Sequence, residues 1–257
     1  MTRVPYRLED DPRPRLGLIV LQADETIEDD FRRLFPPDRV RLHISRVTSG
    51  AELTPQTIHA MEDALPAAAA VLPQSVAFDA VGYACTSGTT LIGAKRVRAL
   101  VQSACDAGAV TDPLTATFAA ARALELRRIG IVSPYTSAIA EDVRTAFDQR
   151  GFEVPKTVSF GEEIEANVAR IAPGSVHAAA RDMAKSAQID GVFLSCTNLR
   201  TLDIIEALEA ELGVPVLSSN QALAWHMAQH VAGRPLALRG GRLMSVQATS
   251  LAHDMRS

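Results

Sequence analysis

Two of the three cysteines in this 257-residue chain stand in matching sequence contexts. Cys85 lies near the end of V-G-Y-A-C-T and Cys196 near the end of V-F-L-S-C-T, and a helical pattern follows each of them. In open parallel sheets, ligands bind where strands end and helices begin, and the N–H groups there lower the pKa of a thiol. We therefore predict that the two thiols face each other across a cleft and react as thiolates near neutral pH. Cys105 lacks such a context and is interpreted as a buried apolar residue.

Two thiols on either side of one carbon atom suit chemistry beside a carboxylate. Removing a proton from that carbon places negative charge on the carboxylate oxygens, so the site needs hydrogen-bond donors there and a base on each face. Thr86 and Ser87 follow Cys85, and Thr197 follows Cys196, at two predicted helix starts. Their hydroxyl groups are donors of the required kind. Such an enzyme could racemise an amino-acid-like substrate, or rotate a double bond after one cysteine adds to it.

The elements that must position these thiols alternate along the chain from Arg15 onward. Short apolar runs separated by longer helical patterns predict βαβ units and parallel sheets, and therefore an α/β fold. The predicted strands are Leu16–Leu21, Val40–Val47, Ala80–Cys85, Ala109–Thr111, Arg128–Ser133, Thr157–Phe160, Gly191–Cys196 and Val214–Ser218. Helices are predicted from a Thr54-Pro55 start through Ala68 and over residues 25–34, 90–107, 115–125, 137–150, 162–171, 175–187, 199–212 and 219–231.

Landmarks of the first half of the sequence recur in the second half at nearly constant spacing. G-L-I-V at Gly17 returns as G-I-V at Gly130, 113 positions later, and Cys85-Thr returns as Cys196-Thr, 111 positions later. This repetition predicts two α/β lobes related by a pseudo-twofold axis, with an active-site cleft between them. We assign residues 1–14 to a tail, 15–112 to the first lobe, 113–219 to the second lobe, and 220–257 to a terminal helix and tail that pack back on the first lobe.

Composition and motifs exclude several other function classes. The formal net charge of −4 offers no surplus for nucleic acid or an anionic membrane, and no apolar run is long enough to cross a bilayer. We expect a cytoplasmic protein with reduced thiols. The stretch G-T-T-L-I-G-A-K-R lacks the ending of a phosphate loop, and no G-x-G-x-x-G occurs. His226 and His230 stand four apart, but Met227 replaces the glutamate of a zinc protease, so we expect neither metal nor cofactor.

Four motifs resemble the aspartate/glutamate racemase superfamily, and within it the branch of maleate isomerase, arylmalonate decarboxylase and the ectoine-utilisation proteins. They are C-T-S-G at 85–88, V-S-P-Y at 132–135, N-V-A-R-I at 167–171 and L-S-C-T-N at 194–198, within a resemblance that spans about residues 15 to 230. The resemblance implies a two-lobed fold, a small carboxylate substrate and cofactor-independent cysteine chemistry.

The resemblance also implies roles for individual residues. Cys85 and Cys196 match the paired catalytic cysteines of the isomerase and the racemases. The other matches are substrate-binding positions. Those that hold the substrate carboxylate are Tyr135, Thr86, Ser87 and Thr197, and the remaining two are Asn167 and Asn198. From the residues alone, Tyr135 could equally anchor the turn after Pro134, and Asn167 could be a solvated residue of a first helical turn. Decarboxylases of this branch keep only the second cysteine, so the presence of both argues against decarboxylation.

The end of the first strand departs from this pattern and reads L-Q-A-D-E-T-I-E. Asp24 stands where maleate isomerases carry an asparagine, and the string also resembles the ectoine-utilisation proteins. A carboxylate repels a dicarboxylate substrate but attracts an amine or amidinium. Asp24 could also cap the helix over 25–34, and the two roles can coexist. We therefore predict a racemase or isomerase of an amino-acid-like or ectoine-derived compound.

Alternatives to this function remain open at this point. Maleate cis-trans isomerisation would use the same two cysteines, and an arylmalonate-type decarboxylase is a further candidate. A ligand-binding protein could also keep the two-lobed fold without catalysis. A catalytic thiolate at Cys85 or Cys196 would react with iodoacetamide far faster than Cys105. We also expect a homo-oligomer, with no nucleic acid and no membrane as partner.

Overall fold

Two sheets of parallel strands form the frame of the protein. The computed structural model describes residues 3–51, 54–231, 236 and 238–246. Its strands are β1 (Arg15–Leu21), β2 (Arg41–Val47), β3 (Ala80–Ala84), β4 (Val110–Thr111), β5 (Ile129–Ser133), β6 (Thr157–Ser159), β7 (Gly191–Leu194) and β8 (Val216–Ser218). The strand order is β2-β1-β3-β4 in one sheet and β6-β5-β7-β8 in the other, and the strand pairs are parallel. The predicted α/β fold with two parallel sheets is confirmed.

Helices connect the strands and cover both sheets. They are α1 (Ile27–Leu34), α2 (Pro55–Ala70), α3 (Thr86–Ile92), α4 (Ala94–Gln102), α5 (Pro113–Ala123), α6 (Ser137–Gln149), α7 (Glu165–Val168), α8 (Pro173–Ser186), α9 (Ile205–Leu212) and α10 (Ser219–Gln229). β3, β5 and β7 are buried along their whole length, as expected of strands with helices on both faces. Within the ranges given above, no helix is both long and apolar enough to cross a membrane.

Capping residues that are visible in the sequence set several helix boundaries. The Thr54 hydroxyl accepts a hydrogen bond from the Thr57 N–H at the start of α2, at 3.2 Å. The Asp112 carboxylate accepts one from the Thr115 N–H at the start of α5, at 2.8 Å. Gly213 ends α9 with φ of +74°, a left-handed conformation that glycine adopts without strain. These three boundaries lie within two residues of their predicted places.

Three helical segments differ from the prediction. The helix expected over 199–212 is α-helical only from Ile205, after a single 3-10 turn over Leu202–Ile204. Residues 90–107 were expected to form one helix, but α3 already begins at Thr86, and Gly93 with φ of +88° separates it from α4. Only Glu165–Val168 of the expected helix over 162–171 is α-helical. The residues before α7 are not helical, because the Gly161 and Glu162 N–H groups donate hydrogen bonds to the carbonyls of the loop after β5.

The last helix begins at the second sheet and covers the first. The Ser218 side chain at the end of β8 caps α10. Leu223 and Met227 of α10 then pack in one apolar cluster with Leu16 and Leu18 of β1. Gly82 of β3 permits this close approach, because a Cβ atom there would lie 2.8 Å from Met227 Sδ. α10 therefore ties the two sheets together, while the exact limits of the two lobes stay a prediction.

Candidate active site

Cys85 follows β3 directly and is the N-cap residue of α3. Its thiol is 2% exposed and its Sγ accepts a hydrogen bond from the Gly88 N–H at 3.1 Å. The Ser87 hydroxyl lies 3.7 Å from the same sulfur. A Cβ atom at residue 88 would lie 2.6 Å from the Tyr83 hydroxyl and 2.8 Å from Cys85 Sγ, so the turn accepts only glycine without a shift. The start of α3 thus holds the sulfur in one place.

Cys196 occupies a strained turn two residues after the end of β7. Its φ is +124°, a backbone conformation that residues other than glycine rarely adopt. Such strain costs about 1–3 kcal/mol and persists where the surrounding structure imposes it, often at functional sites. The Cys196 N–H donates to the Ser219 hydroxyl at 3.0 Å, and the Asn198 N–H donates to the Cys196 sulfur. Cys196 is 5% exposed, so this turn presents a buried thiol.

Hydroxyl groups connect the two strand ends that carry the cysteines. Thr86 Oγ1 lies 2.9 Å from Ser219 Oγ, which also accepts the hydrogen bond from the Cys196 backbone. Thr197 Oγ1 donates to the carbonyl of Ala84, the last residue of β3, at 3.4 Å. Both contacts join residues more than 100 positions apart in the chain. The ends of β3 and β7 therefore meet, as the matching contexts of the two cysteines predict.

Tyr135 lies between these two strand ends. It is almost fully buried, and burial raises the pKa of its phenol well above the ordinary value. The charge of a thiolate at Cys196 or at Cys85 would raise that pKa further. Both sulfurs are therefore close enough to Tyr135 for their charges to change its pKa. We call the group formed by Cys85, Cys196 and Tyr135 the thiol cluster. The structure thus brings together the three residues expected to contact the reacting part of a substrate.

The thiol pKa values contradict the sequence-based expectation. Burial raises the pKa of Cys85 to about 11, although hydrogen bonds from Ser87 and Gly88 lower it. Burial also raises the pKa of Cys196 well above its ordinary value, and the negative charge of Glu165 raises the pKa of both thiols further. The helix-start N–H groups are present as expected, but removal of the sulfur atoms from water outweighs them. Both cysteines are therefore thiols in the free protein at neutral pH.

Asp24 performs the capping role that the sequence allows. Its Oδ1 accepts hydrogen bonds from the N–H groups of Thr26 and Ile27 at 2.8 and 2.9 Å, at the start of α1. Its Oδ2 is buried and has no hydrogen-bond partner within the described part of the chain. Burial raises the pKa of Asp24, and its charge reaches Cys196. The Thr197 hydroxyl also lowers the pKa of Asp24, although Oδ2 has no partner in normal hydrogen-bond geometry. Asp24 thus caps α1 with one oxygen and places the other one beside the thiol cluster.

Asn167 does not join this group. Its side chain is exposed, and its Nδ2 donates to Glu162 Oε1 at 3.3 Å. Glu165, two residues earlier, is 3% exposed and faces the thiol cluster instead. The sequence carries a signal for this, because Glu165 lies three residues before the buried Val168 and shares its helical face. A substrate contact by Asn167 stays a prediction that this placement does not support.

The Asn198 side chain connects three segments around the site. Its Oδ1 accepts a hydrogen bond from the Glu25 N–H at 2.8 Å. Its Nδ2 donates to the carbonyl and to Oε2 of Glu165, at 3.1 and 3.0 Å. Asn198 therefore positions Glu165 and the loop between β1 and α1, and a direct contact with a substrate stays a prediction.

His226 in α10 and His230 just after it contact groups other than the thiol cluster. His226 Nδ1 lies 2.7 Å from the Thr111 hydroxyl, and burial lowers the pKa of His226 to about 3. His230 packs edge-on against the His226 ring. A search of the described ranges finds no group of three or more histidine, cysteine or acidic side chains that could hold a metal ion.

The fold and the buried thiol pair define a cysteine enzyme built on two equivalent parallel sheets. The family model of arylmalonate decarboxylase matches residues 16–244, and the chain belongs to this family. It is 27% identical to the maleate isomerase of Pseudomonas putida over 245 residues, 90% of this chain and 97% of that enzyme. It is 29% identical to the arylmalonate decarboxylase of Bordetella bronchiseptica over 238 residues, 90% of this chain and 96% of that enzyme.

Solved structures show the same architecture. The structure of the Nocardia farcinica maleate cis-trans isomerase with a covalently bound succinylcysteine intermediate matches with a TM-score of 0.79 at 25% identity, over 90% of this chain and 98% of that one. The predicted superfamily and the prediction of an isomerase are confirmed. The link to ectoine utilisation stays a prediction.

Proposed function

We propose that the protein is a cofactor-independent isomerase that uses Cys85 and Cys196 on opposite faces of a carbon atom beside a carboxylate. The observation that carries the proposal is the pair of buried thiols at equivalent strand ends around Tyr135. In the proposed complex, the substrate carboxylate lies among Thr86, Ser87, Tyr135 and Thr197. These side chains are buried, so donors there face little competition from water.

In racemisation, the two thiols exchange roles across the substrate. A thiolate on one face takes the proton from the carbon atom, and the electron pair of the broken C–H bond moves into the carboxylate. The thiol on the other face then gives its proton to that carbon and becomes the thiolate. One of the two sulfurs must therefore be ionised at the start. Hydrogen bonds from the Gly88 N–H to Cys85 and from the Asn198 N–H to Cys196 stabilise that charge.

Cis-trans isomerisation of maleate is the second candidate, favoured by the similarity to maleate isomerases. A thiolate would add to one alkene carbon, and the π electrons would move into the adjacent carboxylate. Rotation about the resulting single bond and cleavage of the C–S bond would then return the trans alkene. A covalent succinylcysteine of this kind is present in the Nocardia farcinica enzyme.

The substrate that we propose carries a carboxylate and a cationic nitrogen, as amino acids and ectoine-derived compounds do. Asp24 supports this assignment, because its unpaired Oδ2 lies in a buried site that a second substrate carboxylate would enter at an electrostatic cost. Decarboxylation is disfavoured by the presence of both cysteines. The candidate substrates are few enough to be screened directly.

A thermal-shift screen followed by a turnover assay tests this function. The compounds are ectoine, hydroxyectoine, acetylated diaminobutyrates, aspartate, glutamate, maleate and phenylmalonate. We expect a zwitterion to raise the Tm and to incorporate deuterium from solvent at the carbon beside its carboxylate. Conversion of maleate alone to fumarate would establish the second candidate instead. Binding without turnover, unchanged by loss of either cysteine, would indicate a ligand-binding protein.

A further inference from the structure

Glu165 brings a second carboxyl group to the thiol cluster. Asn198 Nδ2 donates to Glu165 Oε2 at 3.0 Å, while Asn198 Oδ1 accepts from the N–H of Glu25, the neighbour of Asp24. The negative charge of Glu165 raises the pKa of both cysteines, and the negative charge of Asp24 raises the pKa of Glu165. Asp24 and Glu165, which we call the acidic pair, are therefore held beside each other and beside the reacting sulfurs.

A positive charge or a hydrogen-bond donor from a ligand would stabilise the acidic pair. Asp24 is 2% exposed, and its Oδ2 has no partner in normal hydrogen-bond geometry in the part of the chain that the structure covers. The Thr197 hydroxyl, which lowers the pKa of Asp24, is a neutral donor and leaves the charge of the carboxylate uncompensated. A buried, unpaired carboxylate oxygen is costly unless a ligand supplies its partner. The charge of Arg46 reaches Asp24, but its guanidinium donates to backbone carbonyls, including those of Leu21 and Asp24, and pairs with Glu28.

We propose that Glu165 and Asp24 together bind the positively charged nitrogen of the substrate, and that Glu165 determines specificity for a cationic over a dianionic ligand. This rests on the proposed function, because the acidic pair lies in the same site as the two cysteines. A ligand with a carboxylate among the hydroxyl groups and an ammonium or amidinium at the acidic pair meets both sides of the site. A dicarboxylate would place its second negative charge against two carboxylates.

The alternative role of these two side chains is that of neutral acids that donate hydrogen bonds to an anion. Burial raises the pKa of both Asp24 and Glu165, which favours their neutral forms in the absence of a ligand. A cationic ligand would favour the ionised forms, and an anionic ligand the neutral forms. An ionised acidic pair therefore predicts a preference for cations that enter the site, and a neutral acidic pair predicts a preference for anions.

Labelling of Cys196 with charged reagents distinguishes these two hypotheses. At pH 8.5, Cys196 is treated with 2-aminoethyl methanethiosulfonate, a cation, or with 2-sulfonatoethyl methanethiosulfonate, an anion, and labelling rates are measured by peptide mass spectrometry. We expect the cation to react at least about tenfold faster, a ratio that two buried carboxylates beside the sulfur can produce. Glu165→Gln and Asp24→Asn should each lower this ratio several-fold. Asparagine at residue 24 can still cap α1.

Two controls isolate the acidic pair from the charge of the whole protein. Glu163→Gln removes an exposed carboxylate two residues from Glu165 and should leave the ratio unchanged. Cys105, in the same samples, gives the ratio for a thiol outside the site. An anion preference at Cys196, or a cation preference that Glu165→Gln does not reduce, would overturn the proposal.

A second measurement does not depend on thiol reactivity. The Tm shifts given by equal concentrations of 2,4-diaminobutyrate and succinate are compared in the wild-type protein and in Glu165→Gln. The diaminobutyrate shift should be larger in the wild type, and the difference should disappear in the variant. Equal shifts, or a larger succinate shift, in the wild type would contradict the proposal. Neither measurement requires turnover, so failure of the two-cysteine mechanism is detected separately by the activity of the cysteine variants.

Discussion

At the scale of single residues, the two cysteines differ in backbone conformation although their sequence contexts match. Cys85 has an extended backbone, with φ of −150°, whereas Cys196 has φ of +124°. The spacing of the motifs predicts where the thiols lie, because strand ends can be recognised from apolar runs. It does not predict their pKa values. Those depend on burial and on Glu165, which a distant segment brings to the site.

The difference in backbone conformation predicts opposite effects of glycine at the two cysteines. Cys196→Gly should be more stable than Cys196→Ala by about 1–3 kcal/mol, because glycine relieves the positive φ. At Cys85 the order should reverse, with alanine more stable than glycine by about 0.5–1 kcal/mol. Urea unfolding of the four variants measures both differences. A Cys196→Ala variant that is as stable as Cys196→Gly, or more stable, would show that the turn at Cys196 is not strained.

The raised pKa of Cys85 predicts slow alkylation at neutral pH. Since only the thiolate reacts, the rate with iodoacetamide should rise about tenfold per pH unit and level off near the pKa of about 11. Peptide mass spectrometry of the alkylated protein between pH 7 and pH 10 follows the rate at Cys85. A plateau below pH 8 would mean that the start of α3 stabilises the thiolate more than burial destabilises it.

At the scale of elements, the sequence predicts strands better than it predicts short helices. All eight predicted strands are present within two residues, since short runs of apolar and β-branched residues mark them, including the edge strands β2 and β6, which are only partly buried. The break at Gly93 was missed because a glycine inside a helical pattern does not reveal its φ. Glu165 was missed although it shares a helical face with Val168, because one such pair in a one-turn helix is a weak pattern, and the motif N-V-A-R-I favoured Asn167 instead.

The start of α3 predicts a specific effect of Gly88→Ala. The added Cβ atom would lie 2.8 Å from Cys85 Sγ and must displace the sulfur or the Tyr83 ring. We expect a loss of about 1–3 kcal/mol in the free energy of unfolding and a marked fall in kcat. Gly174→Ala in the first turn of α8 is the matched control, because its Cβ atom meets nothing within 4 Å. Unfolding and turnover of both variants provide the comparison; equal behaviour would contradict this account of the turn.

At the scale of the whole molecule, the site exists only where the two sheets meet. The recurrence of the cysteine motif predicts two equivalent sheets, and their identical strand order confirms that both have the same topology. The hydroxyl contacts between the strand ends could not be predicted, because Thr86 and Ser219 are 133 positions apart and carry no pairing signal in one sequence. Ser219 belongs to α10, which covers the first sheet, so a single residue connects the end of β3, the end of β7 and the terminal helix.

This connection predicts that Ser219→Ala will weaken both the fold and the site. The Cys196 N–H would lose its acceptor in a buried position, at a cost of about 1–3 kcal/mol. We expect a lower Tm together with a lower kcat, because the turn that presents Cys196 is no longer held. Ser103→Ala, which removes an exposed hydroxyl at the end of α4, should change neither quantity. A Ser219 variant with normal turnover would show that the contact serves stability alone.

The central claim is that both cysteines act on the substrate, and the most direct measurement is the turnover of three serine variants on a compound that the wild-type protein converts. Cys85→Ser and Cys196→Ser should each lower kcat by about 10²- to 10⁴-fold with an unchanged circular dichroism spectrum. Cys105→Ser, which alters the buried thiol outside the site, should keep wild-type activity. Full activity in either of the first two variants would contradict the two-cysteine mechanism.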